Sequence, residues 1–325
     1  MTANERWQPT ASLADLQARA LQLAYLRDFF DRRGVLEVET PVLGRHGVTD
    51  LNLDSIAARF APIAGDSCDQ GWLQTSPEYH MKRLLAAGSG SIFQVFRAFR
   101  SGERGHRHNP EFSLLEWYRP GFTDQQLMAE VADLVCGWLG CSRPGVLSYR
   151  DAMQRHAGID PFTVADETLV QRCSAWVGES LAASLDRDTL LELVMSHQVE
   201  VALAEESPTF IHQYPASQAA LARISQVDGV AVAHRFELYI GGLELCNGYW
   251  ELTDADEQRA RFEADNRARL AQGKPAMPVD EELLAALSAG LPDCAGVALG
   301  LDRLLMLKQG RNAIDDVVAF PLERA

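Results

Sequence analysis

The feature that most constrains this chain is the run FRAFRSGERGHRHNPEFSLLEWYRP at residues 96–120. Two largely apolar stretches, about 91–100 and 111–119, flank the polar loop SGERGHRHNP. That pattern predicts two adjacent antiparallel strands and an exposed connection. Along the second stretch Phe112, Leu114, Glu116 and Tyr118 alternate onto one face. An aromatic ring, an acid and a phenol on one face are costly to bury without partners. A half-exposed sheet face with casual polar residues would read the same way, but the loop favours a site. Arg100, Arg104, His106, Arg107 and His108 concentrate positive charge in a chain with 45 acidic against 30 basic residues and a net charge of −15. Such a cluster suits a phosphate chain.

A second segment, RFELYIGGLELCNGYWEL at 235–252, sets Glu237, Glu244, Asn247 and Glu251 among apolar residues. Carboxylates in a buried strand need a cation, for which Mg2+ and a substrate ammonium are both candidates. Plain exposure at alternate positions is the competing explanation. Strict alternation puts Asn247, Tyr249 and Glu251 on one face and Glu244 on the other. A shared site therefore requires a bulge or twist near Gly248. A third segment, CAGVALGLDRLLML at 294–307, carries small residues at 295, 296, 298 and 300, which admit a ligand close to the backbone. Arg303 then falls in the first turn of a helix, where a cation opposes the helix dipole unless an anion is near. A surface arginine is the alternative.

The remaining pattern is α+β. Ser12, with Asp15 as a capping box, starts a helix whose apolar stripe runs Leu16, Ala20, Leu23, Arg27, Phe30 and which ends at Gly34. A short alternating strand, 35–41, closes on Pro41. Residues 71–75 read as a strand and 78–87 as a helix. Residues 123–205 read as a mostly helical insertion with caps at Thr123 and Ser148. Strand returns at 235–252, helices at 256–271 and 280–289, then a strand at 295–300 and a helix from about 302. Strands flanking a helical block beside antiparallel neighbours point away from a doubly wound sheet. No GxGxxG or GxxxxGK[ST] run is present, which disfavours Rossmann and P-loop nucleotide sites.

Composition narrows the function classes. The acidic balance opposes a main task of gripping a polyanion. The six cysteines, Cys68, Cys136, Cys141, Cys173, Cys246 and Cys294, form no CxxC pair and read as reduced core thiols of a cytoplasmic protein. The start MTANERWQPTAS lacks a signal-peptide apolar region, residues 1–11 read as a loose leader, and no run of about 18 apolar residues suggests a membrane span.

The three segments occur in the order and character of the motifs of class II aminoacyl-tRNA synthetases, and the chain resembles that family from about residue 12 to 325. The helix and strand ending at Pro41 resemble motif 1, residues 96–119 motif 2, and residues 296–307 motif 3. RHNPEF (107–112) and GGLELCNGYWEL (241–252) are similar to lysyl-tRNA synthetase patterns. Motif 1 begins near residue 12, which leaves no room for the N-terminal OB-fold that reads the anticodon. TSPEYHMKRLL (75–85), RHNPEF with LLEWYRP (114–120), YPASQAAL (214–221) and GVALGLDR (296–303) resemble the short elongation factor P (R)-β-lysine ligase family. Ala298 is part of that likeness, since the synthetases usually carry glycine there.

The resemblance implies a class II catalytic domain over 12–325, an antiparallel sheet flanked by helices, working as a homodimer. It implies ATP-dependent activation of (R)-β-lysine or lysine and transfer to a lysine of elongation factor P, without stable tRNA binding. By this carry-over Arg100 and Arg303 hold the ATP phosphates and stabilise charge at the α-phosphate. Phe112 stacks on adenine against Arg303. Ser101, Gly102, Glu103, Arg107, His108, Asn109, Leu245 and Gly300 border the nucleotide, with Arg107 near the γ-phosphate and Leu245 contributing backbone. Glu237 and Glu244 hold Mg2+, and Glu244 also borders ATP. Ser76, Pro77, Glu78, Tyr118, Asn247, Glu251 and Ala298 line the amino-acid pocket. One departure stands out: motif 2 usually reads Arg-x-Glu, whereas position 102 here is Gly102 and the acid is Glu103. Two other readings stay open. One is a free amino-acid ligase or lysyl-tRNA synthetase-like enzyme. The other is a non-catalytic amino-acid-binding paralogue, disfavoured by retention of Arg100 and Arg303.

Overall fold

The structure is a computed structural model describing residues 7–60 and 70–325. Cys68 and the first six residues of the expected leader lie outside the described residues. The helices are α1 (Leu13–Asp31), α2 (Glu78–Ala86), α3 (Asp124–Leu139), α4 (Tyr149–Ala157), α5 (Asp166–Val177), α6 (Glu179–Ala182), α7 (Arg187–Val194), α8 (Glu200–Leu203), α9 (Ala255–Ala271), α10 (Glu281–Gly290) and α11 (Leu301–Gln309). The strands are β1 (Leu36–Glu37), β2 (Leu43–Gly44), β3 (Ile56–Arg59), β4 (Gln70–Leu73), β5 (Ile92–Phe99), β6 (Glu111–Pro120), β7 (Gly145–Ser148), β8 (Thr209–Pro215), β9 (Ile224–Val227), β10 (Val230–Ile240), β11 (Leu243–Trp250) and β12 (Cys294–Gly300). The expected α+β architecture, mostly antiparallel with flanking helices, is what the chain adopts. No described helix is long and apolar enough to cross a membrane.

Two compact units divide the chain: Met1–Phe122 with Leu252–Ala325, and Thr123–Glu251. In the first, strands run in the order β1-β5-β6-β12, parallel between β1 and β5 and antiparallel thereafter. A small antiparallel sheet, β2-β4-β3, belongs to the same unit. Only Leu36 and Glu37 of the strand expected over 35–41 pair as a ladder with β5. The N–H of Val38 still donates to Phe93 O at 2.9 Å before the chain leaves the edge towards Pro41.

Helix α1 starts where the sequence places it, with Ser12 Oγ accepting from Asp15 N at 3.2 Å. Its buried stripe differs from the expected one. Asp15, Ala18, Gln22, Leu26 and Phe29 face inward, while Ala20 and Arg27 are exposed. The physical reason is that both polar members of the stripe have partners. Arg311 Nη2 donates to Asp15 Oδ2 at 2.9 Å, and Gln22 Nε2 donates to Leu301 O at 3.2 Å. The end of the expected leader is anchored rather than loose. Thr10 N donates to Ala319 O at 2.9 Å, and Ala11 is buried.

The second unit has the strand order β11-β10-β8-β7 with β9 on the far part of β10. Only β7 and β8 pair in parallel. Thr123 and Ser148 cap α3 and α4 as expected, Thr123 within a full capping box with Gln126. The mostly helical stretch 123–205 also contains β7. It is followed by β8 and β9, so the unit extends well past the expected insertion. Its core gathers Tyr149, Met153, Leu169, Leu191, Val194, Ile211 and Tyr214.

Candidate active site

In the first unit the site is built on β5, β6 and β12. Antiparallel register sets Gln94, Glu116 and Ala298 in one row, Ile92, Tyr118 and Gly296 in the next, and Phe96, Leu114 and Gly300 in the third. Directly paired residues share a face, so Gly296, Ala298 and Gly300 lie on the face that bears Glu116 and Tyr118. The alternation read at 112–118 is therefore real, and the small residues of β12 leave room over it. Glu116 is 1% exposed. It accepts from Tyr118 OH and from Ser76 Oγ, both at 2.7 Å. Sequence reasoning asked for partners to this buried acid without naming Ser76. Gln94, buried beside Glu116 and accepting from Thr40 Oγ1 at 3.0 Å, was not singled out at all.

Pro77, buried, sets the start of α2. Glu78 N donates to Ser76 Oγ at 3.0 Å, which locks that hydroxyl between helix and strand. Lys82, one turn on, is buried and donates from Nζ to Glu78 Oε1 at 2.6 Å. Lys82 was missed because a lysine on a helix reads as surface. Its i,i+4 relation to Glu78 was the available signal.

The loop after β5 is pinned through its backbone. Arg100 N donates to Pro110 O at 2.9 Å, and Ser101 N to Asp54 O at 2.7 Å. Gly102 takes φ 78°, a left-handed turn that favours glycine. Glu103 then reaches back to Arg100 Nη1 at 3.3 Å. The guanidinium of Arg100 lies over the Phe112 ring, 4.9 Å from its centre. Ser101, Arg107 and His108 are exposed. Asn109 is buried and spent on the backbone, donating to Glu111 O at 2.6 Å and accepting from Leu322 N at 3.3 Å.

Helix α11 brings Arg303 to this loop. Arg303 Nη2 lies 2.8 Å from His108 Nε2. Because a guanidinium only donates, that ring nitrogen is the acceptor. Although His108 is exposed overall, partial desolvation of its ring by the surrounding loop, followed by the positive charge of Arg303, holds its pKa below the usual histidine range, which keeps the ring neutral. Gly300, at the cap of α11, lies against the Arg303 side chain: a Cβ there would meet Arg303 Cδ at 3.4 Å, ordinary van der Waals contact. The adjacent Asp302 is buried. Its Oδ2 accepts from Ser113 N at 2.7 Å, and its Oδ1 pairs with Arg19 of α1. One carboxylate thus joins α1, β6 and α11, a role with no local sequence signal.

In the second unit β10 and β11 pair Arg235 with Tyr249 and Glu237 with Asn247. The register then slips. Leu238 opposes Cys246 and Tyr239 opposes Glu244, so Leu245 is the extra residue of a bulge. The bulge that a shared face requires is present, at Leu245 rather than near Gly248. It brings Glu244 to the face of Glu237, Tyr239 and Asn247, while Leu245 and Cys246 are both buried. Glu251 is buried just past β11 and bridges Ala222. Asn247 Oδ1 is buried and accepts no hydrogen bond from the described residues.

Glu237 does not fit the metal role expected of it. Its Oε2 accepts from Tyr214 OH at 2.6 Å and Tyr239 OH at 2.5 Å, and its Oε1 from Arg235. Burial, then the Glu237 charge, drives both phenols well above the usual tyrosine range, so they remain donors. Three donors commit this carboxylate to the protein. Of the expected metal pair, only Glu244 sits half-exposed on that strand face.

Residues 7–324 match the family of class II tRNA synthetases (D, K and N). The chain belongs to that family. This class II domain is also 52% identical, over 330 aligned residues and the whole of both chains, to the elongation factor P–(R)-β-lysine ligase of Salmonella dublin. Proteins of the same name from Salmonella paratyphi B and Salmonella heidelberg match equally, at 52% identity over the full length of each. The segments that resemble the class II motifs fall on α1 with β1, on β5 and β6 with their loop, and on β12 with α11.

Proposed function

We propose that this class II domain activates (R)-β-lysine, or lysine, with ATP and joins it to a lysine side chain of elongation factor P in the cytoplasm. The full-length likeness to relatives bearing that name carries the reading. The amino-acid carboxylate attacks the α-phosphorus and pyrophosphate leaves. The acceptor amine then attacks the carbonyl of the adenylate, AMP leaves and an amide forms. No enzyme nucleophile is needed, because both nucleophiles are substrates and the protein supplies position and charge.

Arg100 and Arg303 are the phosphate-binding groups of this proposal, with Phe112 as the adenine platform. Ser101, Gly102, Glu103, Arg107 and Gly300 border the nucleotide. Asn109 holds the loop rather than the ligand. Ser76, Glu78, Tyr118, Asn247, Glu251 and Ala298 receive the amino acid. The buried, unpartnered Oδ1 of Asn247 supports this, since it is an acceptor with room for an ammonium N–H. Mg2+ fits Glu244, and when bound it neutralises charge on the ATP phosphates. A homodimer through α1 and β1 is supported by Leu13, Leu21 and Leu36, which are 72%, 66% and 56% exposed.

The test is pyrophosphate–ATP exchange with (R)-β-lysine and with α-lysine, for the wild type and Ala298→Gly, followed by intact mass of elongation factor P. Exchange that favours (R)-β-lysine and a one-residue mass gain on the factor are expected. Exchange without any labelling of the factor, or efficient charging of tRNA instead, overturns the proposal.

A further inference from the structure

Cys136 lies in the last turn of α3, and Gly140 ends that helix in a left-handed conformation, φ 76°. The chain turns back there and sets Cys141 Sγ 3.5 Å from Cys136 Sγ. Cys136 Sγ–H also points to Ser142 O at 3.3 Å, and Arg143 pairs with Asp133 across the same turn. Both cysteines are half-exposed, whereas Cys173, Cys246 and Cys294 are buried. The pair read in the sequence as core thiols is therefore an accessible dithiol in van der Waals contact.

We propose that Cys136 and Cys141 form a reversible intramolecular disulfide by exchange with a low-molecular-weight disulfide. A disulfide needs its sulfurs about 2.05 Å apart, so the gap closes by side-chain rotation of about 1.5 Å in all. The chemistry takes two exchanges. One cysteine thiolate attacks the small disulfide and expels one small thiol. The second cysteine loses its proton, attacks the mixed disulfide and expels the other. Two protein thiols are oxidised and one small disulfide is reduced to two thiols. Burial and contact with Cys141 push the Cys136 thiol up to about 11, so it is protonated at neutral pH and the exchange accelerates as pH rises. The bond ties the end of α3 to the segment that enters β7. Because α3 packs on β10 and β11, the modification sits behind the strands that bear Glu244 and Asn247.

The experiment treats the full-length protein with oxidised glutathione at pH 7 and pH 8.5, alkylates it without reduction, and maps the peptides by mass. The expected product is a fragment holding both cysteines that has lost two hydrogens, carries no glutathione, forms faster at pH 8.5 and is reversed by dithiothreitol. Cys136→Ser should instead leave Cys141 with a lasting glutathione adduct. Full alkylation of both cysteines after treatment, or a lasting adduct on either in the wild type, overturns the proposal.

Discussion

Lys82 Nζ donates to Glu78 Oε1 at 2.6 Å, one turn apart on α2, with the lysine side chain 2% exposed. A buried ammonium is thus spent on a carboxylate that the proposed function also assigns to the amino acid. Removing one member of a buried ion pair strands the other charge, at about 3–5 kcal/mol. Lys82→Met should lower the urea midpoint accordingly and raise KM for the amino acid in pyrophosphate exchange. Lys82→Met with Glu78→Gln should recover part of the stability but not the KM. Equal stability in all three proteins would remove the pair from the account.

Arg303 and His108 make a second test. His108 accepts from Arg303, which requires a neutral ring. Its pKa is depressed by partial desolvation of the ring and by Arg303, so the ring stays neutral to below its ordinary value of 6.5. The acid limb of kcat in pyrophosphate exchange should therefore fall below pH 6.5. His108→Ala should abolish that limb and slow exchange roughly 10- to 100-fold, the worth of a hydrogen bond to a charged group, about 1.5–3 kcal/mol. An unchanged rate and profile would show that the contact does not position Arg303.

Asp302 predicts a defect in stability rather than in substrate affinity. Its carboxylate serves Arg19 and Ser113 N from a buried position. Asp302→Ala leaves the buried Ser113 N–H and the half-buried Arg19 without their acceptor and should cost about 3 kcal/mol in urea unfolding. Asp302→Ala and Arg19→Met should be strongly non-additive in a double-mutant cycle. Additive losses would mean that the two residues act separately.

Asp265 on α9 carries the opposite electrostatic sign. Burial raises its pKa from 3.8 to about 6, although Thr49 Oγ1 donates to it at 2.9 Å. The folded state binds this proton more tightly than the unfolded chain, so its contribution to stability falls as pH rises from about 4 to 6. Asp265→Asn keeps a carbonyl acceptor for Thr49 and should raise the Tm more at pH 7.5 than at pH 4.5. A pH-independent difference would count against a buried titrating acid.

What the sequence disclosed, it disclosed through period and punctuation. The starts of α3 and α4 were legible from their caps, Thr123 and Ser148, and β5 and β6 from alternation about a polar loop. The inward stripe of α1 was misplaced because Asp15 and Gln22 are buried with partners more than 270 residues away in the chain. Strands β8 and β9 escaped notice. Gln213 adopts φ 58° in β8 where the register with β10 shifts, and this interrupts the period-2 pattern on which a strand is recognised. At the site, residue types that bind phosphate or ammonium were visible locally. Glu237 was misassigned because its partners Tyr214, Tyr239 and Arg235 are set by strand register, which no single segment reveals.

The bulge at Leu245 makes the length of β11 a heritable quantity in its own right. Side chains along the strand can be exchanged one at a time, each with its own cost. Deleting Leu245 would leave Glu244 two residues before Asn247, so plain alternation would keep both on one face and only the local bend of the strand would be lost. Lineages descending from such a chain are therefore free to shed this one residue without parting the two side chains. A homologue that aligns across this strand with a gap at Leu245 still presents both on the same side.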